Sequence, residues 1–346
     1  LARMRLAKLA LWGAALGLLI NLIDASREHF GGLENTRKNI ISQIESGELD
    51  PTKISPNLQA QGKSLPAEIR EKIDQLKPET AAKLKQFPVE MVKRWYSSRV
   101  YGHMFYPNAL AGIILLLLPV TLALLIDKGR WLIIRRIIAL ALTLIGLACL
   151  YWSGSKGGWL ISLVIVGAWL LHFSLSKKLK IILVSAAMLI GLIGFVIKYA
   201  DYFDKGATSI GARFGYWDAA IKTAMEEPLL GTGPGTFKIA YKRHRQPGSE
   251  PTRLTHNDYL QQASDSGWPG FVLYVAFIGS SIWTLSRRRS TEPVFIAIKL
   301  SLIAWALQGT VEFGLYIPAL AWPAWLMLGW ILASPINQFD KSPNNN

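Results

Sequence analysis

The residues best suited to chemistry lie in one polar segment, residues 198–269, between two long apolar runs. Arg213 and Trp217 stand near its start, and the motif His256-Asn257-Asp-Tyr259 stands near its end. A histidine can take a proton from a hydroxyl near neutral pH, because its unperturbed pKa is about 6.5. An arginine can bind an anion through two parallel hydrogen bonds. Loops on a rigid scaffold often carry function, so this segment is the first candidate for a site.

Further ionisable residues lie beside the apolar runs. Lys156 falls in a Ser-Gly-Ser-Lys-Gly-Gly turn, where it can either extend to the membrane surface or bind a phosphate or pyrophosphate. Arg99 and His103 precede the second apolar run and could join the same surface. Lys299 and Glu312 lie in or at the edge of the seventh run, where ionisable groups are costly and often functional.

The glycines that follow Pro228 superficially resemble a phosphate-binding loop. Gly231, Gly233 and Gly235 alternate with other residues, but no strand precedes them and no Lys-Ser/Thr pair follows. A nucleotide-binding loop needs both features. We therefore predict a tight turn after Pro228.

Several other kinds of site are not supported. His244 and His256 lie twelve residues apart with no cysteine nearby, which disfavours a metal centre. No Gly-x-Ser-x-Gly sequence suggests a serine hydrolase. Cys149 is the single cysteine, so the chain has no internal disulfide.

The elements that must position these residues are membrane helices. Of the 346 residues, 51% are hydrophobic and 18% are charged, which excludes a disordered chain. A spanning helix needs roughly 17–25 mostly apolar residues. Eight runs approach this length, which predicts an all-α polytopic membrane protein. They are residues 6–23, 109–126, 137–152, 159–175, 181–197, 270–285, 294–311 and 317–333.

The net charge of +15 first suggests a nucleic-acid partner, but its distribution indicates membrane topology instead. Basic residues concentrate before the first run, in alternate short connections and in the C-terminal tail. They are Arg3, Arg5, Lys8, Lys128, Arg130, Arg135, Arg136, Lys177, Lys178, Lys180, Arg287, Arg288, Arg289 and Lys341. This pattern predicts that both termini are cytoplasmic and that no nucleic acid is bound.

The predicted organisation follows from that topology. Residues 1–23 form the first span, and residues 24–107 form a helical segment on the outer side. Residues 108–197 hold four spans, residues 198–269 form a large outer loop, residues 270–333 hold three spans, and residues 334–346 are a cytoplasmic tail. Because the chain begins with leucine, we expect further helices before it.

The order of the motifs resembles that of the O-antigen ligase/O-antigen polymerase superfamily of bacterial inner-membrane proteins. Each motif is weak alone, but their order and their fit to the topology are fairly specific. The resemblance covers residues 99–333. It rests on Tyr106-Pro107-Asn108, Ser-Gly-Ser-Lys156 where the family has Ser-Arg-Gly, Arg213 with Trp217, Pro-Leu-Leu-Gly-Thr-Gly, His256-Asn257-Asp-Tyr259-Leu, and Phe313-Gly-Leu-Tyr-Ile-Pro.

The resemblance implies a GT-C-like inverting glycosyltransferase that needs no metal or other cofactor. Its donor would be a glycan on a polyprenyl diphosphate, and its acceptor a growing glycan or a sugar of the lipid A core. The site would face the periplasm. His256, Arg213 and Lys156 would be catalytic, although lysine lacks the planar fork of the family's arginine. The candidate substrate-binding residues are Arg99, Asn257, Tyr259, Trp217, Arg253 and Glu312.

Two other functions remain open at this point. The same cations could bind a small anion during transport, although transport favours ionisable groups deep in several spans. The chain could also be a non-catalytic component of a polysaccharide assembly complex. A ligase and a polymerase use the same donor chemistry, so the sequence does not separate them.

Overall fold

A computed structural model describes residues 2–53, 65–126, 131–172, 175–204, 208–246, 249, 251–288 and 290–334. No strand occurs among the described residues, and each of the eight apolar runs lies mostly within a helix. The chain is therefore an all-α polytopic membrane protein, as predicted. Of the basic residues behind the topology prediction, Lys128, Arg130, Arg289 and Lys341 lie outside the described part of the chain.

Fourteen α-helices run through the described residues in chain order. They are α1 (Ala2–Arg27), α2 (Leu33–Glu45), α3 (Ala67–Asp74), α4 (Pro78–Gln86), α5 (Val89–Trp95), α6 (Pro107–Ile126), α7 (Leu132–Ser153), α8 (Lys156–Leu170), α9 (Lys177–Asp204), α10 (Thr208–Glu226), α11 (Phe237–His244), α12 (Asp258–Arg287), α13 (Pro293–Gln308) and α14 (Pro318–Ala333).

The eight apolar helices differ in length. Five helical stretches are long and apolar enough to cross a membrane: α6, α7, α9, α12 and the continuous stretch Leu6–Glu45. Helices α8, α13 and α14 have 15, 16 and 16 residues, fewer than the roughly 20 that a perpendicular span requires.

Helix α6 forms the centre of the bundle. Almost all of its side chains are buried, and it packs against α1, α7, α8, α13 and α14. At its crossing with α13, a Cβ atom on Gly112 would lie 2.7 Å from Oε1 of Gln308, so glycine permits the close approach. Nε2 of Gln308 donates to the carbonyl of Asn108 at 2.9 Å. This contact fixes the start of α6 against the end of α13.

The described residues of the first predicted outer segment form a small helical cap with its own core. Ile44, Ile73, Leu84, Phe87 and Val92 are buried together between α2, α3, α4 and α5. Two of its helices start at prolines, since α3 follows Pro66 and α4 begins at Pro78.

The first predicted span, residues 6–23, is shorter than the helix that contains it. Helix α1 runs on to Arg27 and, after a kink at Phe30 and Gly31, continues as α2. The span prediction stopped early because the residues after Ile23 are polar, although polarity does not end a helix.

Much of the predicted outer loop, residues 198–269, is helical. Helices α10 and α11 pack around Tyr216, Phe237 and Tyr241, and α12 begins twelve residues before the predicted span at residue 270. Asn257 starts α12 by accepting hydrogen bonds from the backbone N–H groups of Tyr259 and Leu260, each at 3.0 Å.

The turn predicted after Pro228 is confirmed. The N–H of Gly231 donates to the carbonyl of Glu227 at 3.0 Å, and Gly231 has φ +63°. The turn packs backbone to backbone against a kink in α12 at Gly267, where φ is +68°. The N–H of Trp268 donates to the carbonyl of Pro228 at 2.9 Å. Gly231 and Gly267 therefore allow a close contact between the two backbones.

Candidate functional site

Four side chains from distant parts of the chain converge on Glu312, whose side chain is 8% exposed. Arg213 Nη2 donates to Oε1. Asn108 Nδ2 donates to the same oxygen at 2.6 Å. Tyr106 donates its hydroxyl to Oε2 at 3.3 Å, and His256 Nδ1 lies 3.3 Å from Oε2. Glu312 is therefore the centre of a network that joins the start of α6, helix α10, and the turns before α12 and after α13.

The turn that carries Glu312 is held by α6 and α13. The Glu312 N–H donates to the Gln308 carbonyl at 2.9 Å, and Gln308 in turn holds Asn108. Burial, with Glu312 as a second cause, raises the pKa of the Tyr106 hydroxyl, so Tyr106 stays a protonated donor to this carboxylate. The carboxylate is thus placed by backbone contacts and neutralised by donors.

The motif His256-Asn257-Asp258-Tyr259 clamps the same turn. Nδ2 of Asn257 donates to the Thr310 carbonyl at 2.9 Å, and the hydroxyl of Tyr259 donates to the Ala306 carbonyl at 2.9 Å. Asp258 binds on both sides of Glu312: its N–H donates to the Gly309 carbonyl at 2.7 Å, and its Oδ2 accepts from the Leu315 N–H at 3.0 Å. Three of the four motif residues therefore position the turn, and His256 faces its carboxylate.

His256 sits in a strained and partly enclosed position. Its φ of +53° is unusual for a residue other than glycine, and its side chain is 20% exposed. Tyr216 stacks on the imidazole at 5.6 Å between ring centroids, and Phe313 contacts it edge-on at 4.8 Å. Because Nδ1 faces Glu312, the other ring nitrogen, Nε2, remains to face a substrate.

Arg99 forms a second layer behind Asn108. Its Nη2 donates to Asn108 Oδ1 at 2.7 Å, and its Nε donates to the carbonyl of Ser153 at 2.7 Å. Burial lowers the pKa of Arg99, but an arginine remains charged in proteins. A Cβ atom on Gly154 would lie 3.2 Å from Arg99 Nε, which explains a glycine in the Ser-Gly-Ser-Lys turn.

Lys156 lies beside this network without touching Glu312. Its Nζ is 3.7 Å from the ring centroid of Tyr202 and 4.9 Å from that of Tyr199. Lys198 joins the same aromatic surface, with Nζ 3.1 Å from the ring centroid of Tyr151. The positive charges of Arg99, Arg213 and Lys198 repel that of Lys156. These four residues carry four positive charges, against one negative charge on Glu312. The excess of positive charge favours an anionic ligand.

No hydrogen bond or ion pair joins the remaining candidate residues to Glu312 within the described part of the chain. Trp217 contacts Phe214 edge-on at 5.4 Å within the core of α10 and α11, and Arg253 is exposed. His103 lies 3.2 Å from Asp24, and Lys299 lies in the first half of α13, remote from the Glu312 turn.

The sequence analysis names Glu312 and two of its four partners, Arg213 and His256, but not the other two, Tyr106 and Asn108. Tyr106 and Asn108 were part of a recognised motif, and their polar side chains at the start of an apolar helix were an available signal. Lys198 was missed because the predicted span ended one residue before it. Tyr216 and Phe313 carry no polar signal that points to His256.

Glu312, the side chains that contact it, and the cations Arg99, Lys156 and Lys198 lie at one end of the bundle, which we call the site end. It holds the starts of α6, α8, α12 and α14 and the ends of α7 and α13. The described basic residues of the short connections lie at the opposite end. There Arg135 donates to the Leu124 carbonyl at the end of α6, and Arg288 donates to the Leu332 carbonyl at the end of α14.

Comparison with known proteins supports the predicted family. A family model described as O-Antigen ligase matches residues 139–275, which include Lys156, Arg213 and His256. An uncharacterised protein of Haemophilus influenzae is 28% identical over 166 residues, covering 40% of this chain. The matched part spans 41% of the length of that relative. The resemblance to the O-antigen ligase/polymerase superfamily is thereby confirmed.

Proposed function

We propose that this chain, whose residues 139–275 match the O-antigen ligase family, transfers a glycan from a polyprenyl diphosphate to a sugar hydroxyl. The family match supports a glycan-transfer role in a membrane. The single observation that carries the finer proposal is the contact of His256 and Arg213 with one buried carboxylate, Glu312. That contact pairs a candidate base with a candidate anion ligand.

In the proposed reaction, His256 is the general base. Its Nδ1–H donates to Glu312 Oε2, so Nε2 accepts the proton of the attacking hydroxyl. The hydroxyl oxygen forms a bond to the anomeric carbon as the bond from that carbon to the diphosphate oxygen breaks. The polyprenyl diphosphate leaves with the electron pair, and the configuration at the anomeric carbon inverts. Glu312 stabilises the imidazolium that forms.

The leaving diphosphate needs cations, since negative charge develops on it in the transition state. Nη2 of Arg213 donates a hydrogen bond to Glu312, whereas Nε of Arg213 is buried without a partner among the described residues. A ligand oxygen can satisfy that donor. Arg99, Lys156 and Lys198 supply further positive charge in the same region. We assign these residues to binding the diphosphate, with Arg213 closest to the reacting centre.

The proposed site faces the periplasm. The support is the distribution of charge, because the described basic residues of the short connections lie at the opposite end of the bundle. Positive residues in short loops favour the cytoplasmic side. The predicted outer segments, residues 24–107 and 198–269, are then the regions that would contact a glycan or lipid A core acceptor.

The test compares two histidine variants in membranes of cells that lack the native gene. His256→Ala removes the proposed base. His244→Ala is the matched control, because His244 also lies 3.3 Å from a glutamate, Glu226, but outside the Glu312 network. We expect His256→Ala to abolish glycan attachment at unchanged protein level, and His244→Ala to keep it.

The readout is the size and attachment of cell-envelope glycans on a gel. Normal glycan transfer by His256→Ala would overturn the proposal. If deletion of the gene changes no glycan, the alternative of anion transport gains support. Accumulation of free polymer on the lipid carrier indicates a ligase, whereas attachment of single units indicates a polymerase.

A further inference from the structure

A groove runs between α1 and α7 and is lined by residues of α1, α2, α7 and the kink between α1 and α2. It has a volume of about 580 Å³. Leu19, Ile23 and Ile145 line one part of it with hydrocarbon, and Arg27 and Asn35 line the other part with polar groups. The groove is therefore amphipathic along its length, with one apolar section and one polar end.

The polar end is built by the kink between α1 and α2. Gly31 has φ +115°, which favours glycine. At Gly32 a Cβ atom would lie 2.8 Å from the carbonyl oxygen of Arg27, so only glycine allows this close approach. The kink turns α2 away from the axis of α1 and places Asn35 near Arg27.

Arg27 is a cation without an acidic partner. The two acidic residues nearest to Arg27 in the sequence are engaged elsewhere: Asp24 lies 3.2 Å from His103, and Glu28 accepts from the backbone N–H groups of Tyr101 and Gly102 at 2.7 and 2.9 Å. Within the described chain, Arg27 forms no ion pair, and its side chain is exposed. It is thus available to an anion.

The polar end lies at the level of the site end. His29, two residues after Arg27, stacks on Trp152 with 3.9 Å between ring centroids. Trp152 precedes Ser153, whose carbonyl accepts from Arg99. The apolar section, at Leu19 and Ile23, therefore extends from the membrane surface toward the middle of the membrane, in the same sense as the acyl chains of a lipid.

We propose that this groove binds an anionic phospholipid of the surrounding bilayer. Its phosphate would pair with Arg27 and accept from the Asn35 amide, and an acyl chain would lie along Leu19, Ile23 and Ile145. A basic residue at the membrane surface attracts an anionic headgroup, and the apolar wall excludes water from the chain.

A bilayer lipid fits the groove better than the proposed lipid-linked donor. Phe30, which lines the groove, contacts Trp152 edge-on at 5.5 Å. The residues that line the groove include none of the four side chains that contact Glu312. The groove is thus separate from the Glu312 network, and its lipid does not depend on the proposed glycan transfer.

The test is native mass spectrometry of the purified protein, titrated with phosphatidylglycerol or with phosphatidylcholine. We expect tighter retention of phosphatidylglycerol. Arg27→Ala should weaken that retention about fivefold, because one basic residue near a membrane surface contributes about 1 kcal/mol. Arg27→Lys should retain most of it. Lys72→Ala, on α3 in the outer cap, is the control and should change nothing.

A second variant checks the apolar section. Ile145→Trp fills the groove and should lower retention of both lipids, while circular dichroism confirms that each variant is folded. Equal retention of the two lipids by the native protein would overturn the proposal, as would unchanged retention by Arg27→Ala. Displacement of phosphatidylglycerol by a polyprenyl phosphate at equal concentration would assign the groove to the donor instead.

Discussion

His256 Nδ1 lies 3.3 Å from Glu312 Oε2, although 56 residues and two membrane helices separate the two side chains. The contact exists because the three residues after His256 bind the backbone on either side of Glu312. A carboxylate on Nδ1 selects the tautomer whose Nε2 can accept a proton. The other oxygen of this carboxylate, Oε1, accepts a hydrogen bond from Arg213. One buried group therefore sets the position of both the candidate base and the candidate anion ligand.

The first prediction concerns Glu312 as a positioning residue. Glu312→Gln keeps the shape of the side chain but removes its charge, so it no longer stabilises the imidazolium of His256 or pairs with Arg213. We expect glycan transfer to fall at least about 10²-fold, in the range that a general base contributes. The loss should appear in kcat more than in the KM for donor, which is measured with purified enzyme and lipid-linked donor.

The control for that variant is Glu226→Gln. Glu226 contacts His244 and Arg243, each at 3.3 Å. Like Glu312, it is therefore a glutamate that contacts a histidine and an arginine, but it lies on an exposed surface. It should retain activity. Full activity of Glu312→Gln, or an equal loss in both variants, would contradict the assigned role.

The second prediction separates charge from geometry at Arg213. Arg213→Lys preserves the positive charge but cannot bind Glu312 and a phosphate oxygen with one planar group. We expect at least about a tenfold loss of kcat/KM, because lysine loses one of the two charge-assisted hydrogen bonds, and each contributes about 1.5–3 kcal/mol. Arg243→Lys, which pairs with exposed Glu226, is the matched control. Equal activity of both variants would show that Arg213 supplies charge alone.

The sequence predicted the helices and the end of the bundle that holds the site. Antiparallel spans bring alternate connections together, so Arg99, Lys156, Arg213, His256 and Glu312 were expected on one side. The central place of Glu312 was not predictable, because it depends on how α6 packs against α13. That packing is set by tertiary contacts such as Gly112 with Gln308.

Two motif residues also hold the site together. The side chains of Asn257 and Tyr259, which stay predicted substrate-binding residues, bind backbone groups of α12, α13 and the Glu312 turn. An asparagine before a helix is a common N-cap, and this signal was available in the sequence. The start of α12 at Asp258 was missed because its first turns are amphipathic rather than apolar.

The third prediction concerns the contact between the Pro228 turn and α12. A Cβ atom on Gly267 would lie 2.5 Å from the Pro228 carbonyl oxygen, and one on Gly231 would lie 2.5 Å from the backbone of Asp265. Neither backbone can move easily, so Gly267→Ala and Gly231→Ala should strongly lower the thermal unfolding temperature in detergent.

Gly235→Ala is the control for those two variants. Gly235 also has a positive φ, +77°, but nothing lies within 4 Å of its Cβ position. The free energy of unfolding should fall by only about 1 kcal/mol, the cost of a left-handed conformation. Similar unfolding temperatures for all three variants would mean that the backbone contact contributes no stability.

The fourth prediction tests Lys198, the cation that the sequence did not indicate. Lys198 holds its ammonium against Tyr151, near Lys156, so we expect it to attract the diphosphate without taking part in bond breaking. Lys198→Ala should raise the KM for lipid-linked donor about fivefold, corresponding to about 1 kcal/mol for one cation near a membrane surface. The kcat should stay unchanged, and added salt should reduce the difference from the native enzyme.

Lys222→Ala, which removes an exposed lysine paired with Asp218 at 2.7 Å, should leave both constants unchanged. A fall in kcat for Lys198→Ala would place this lysine at the reacting diphosphate, whereas an unchanged KM would remove it from the site.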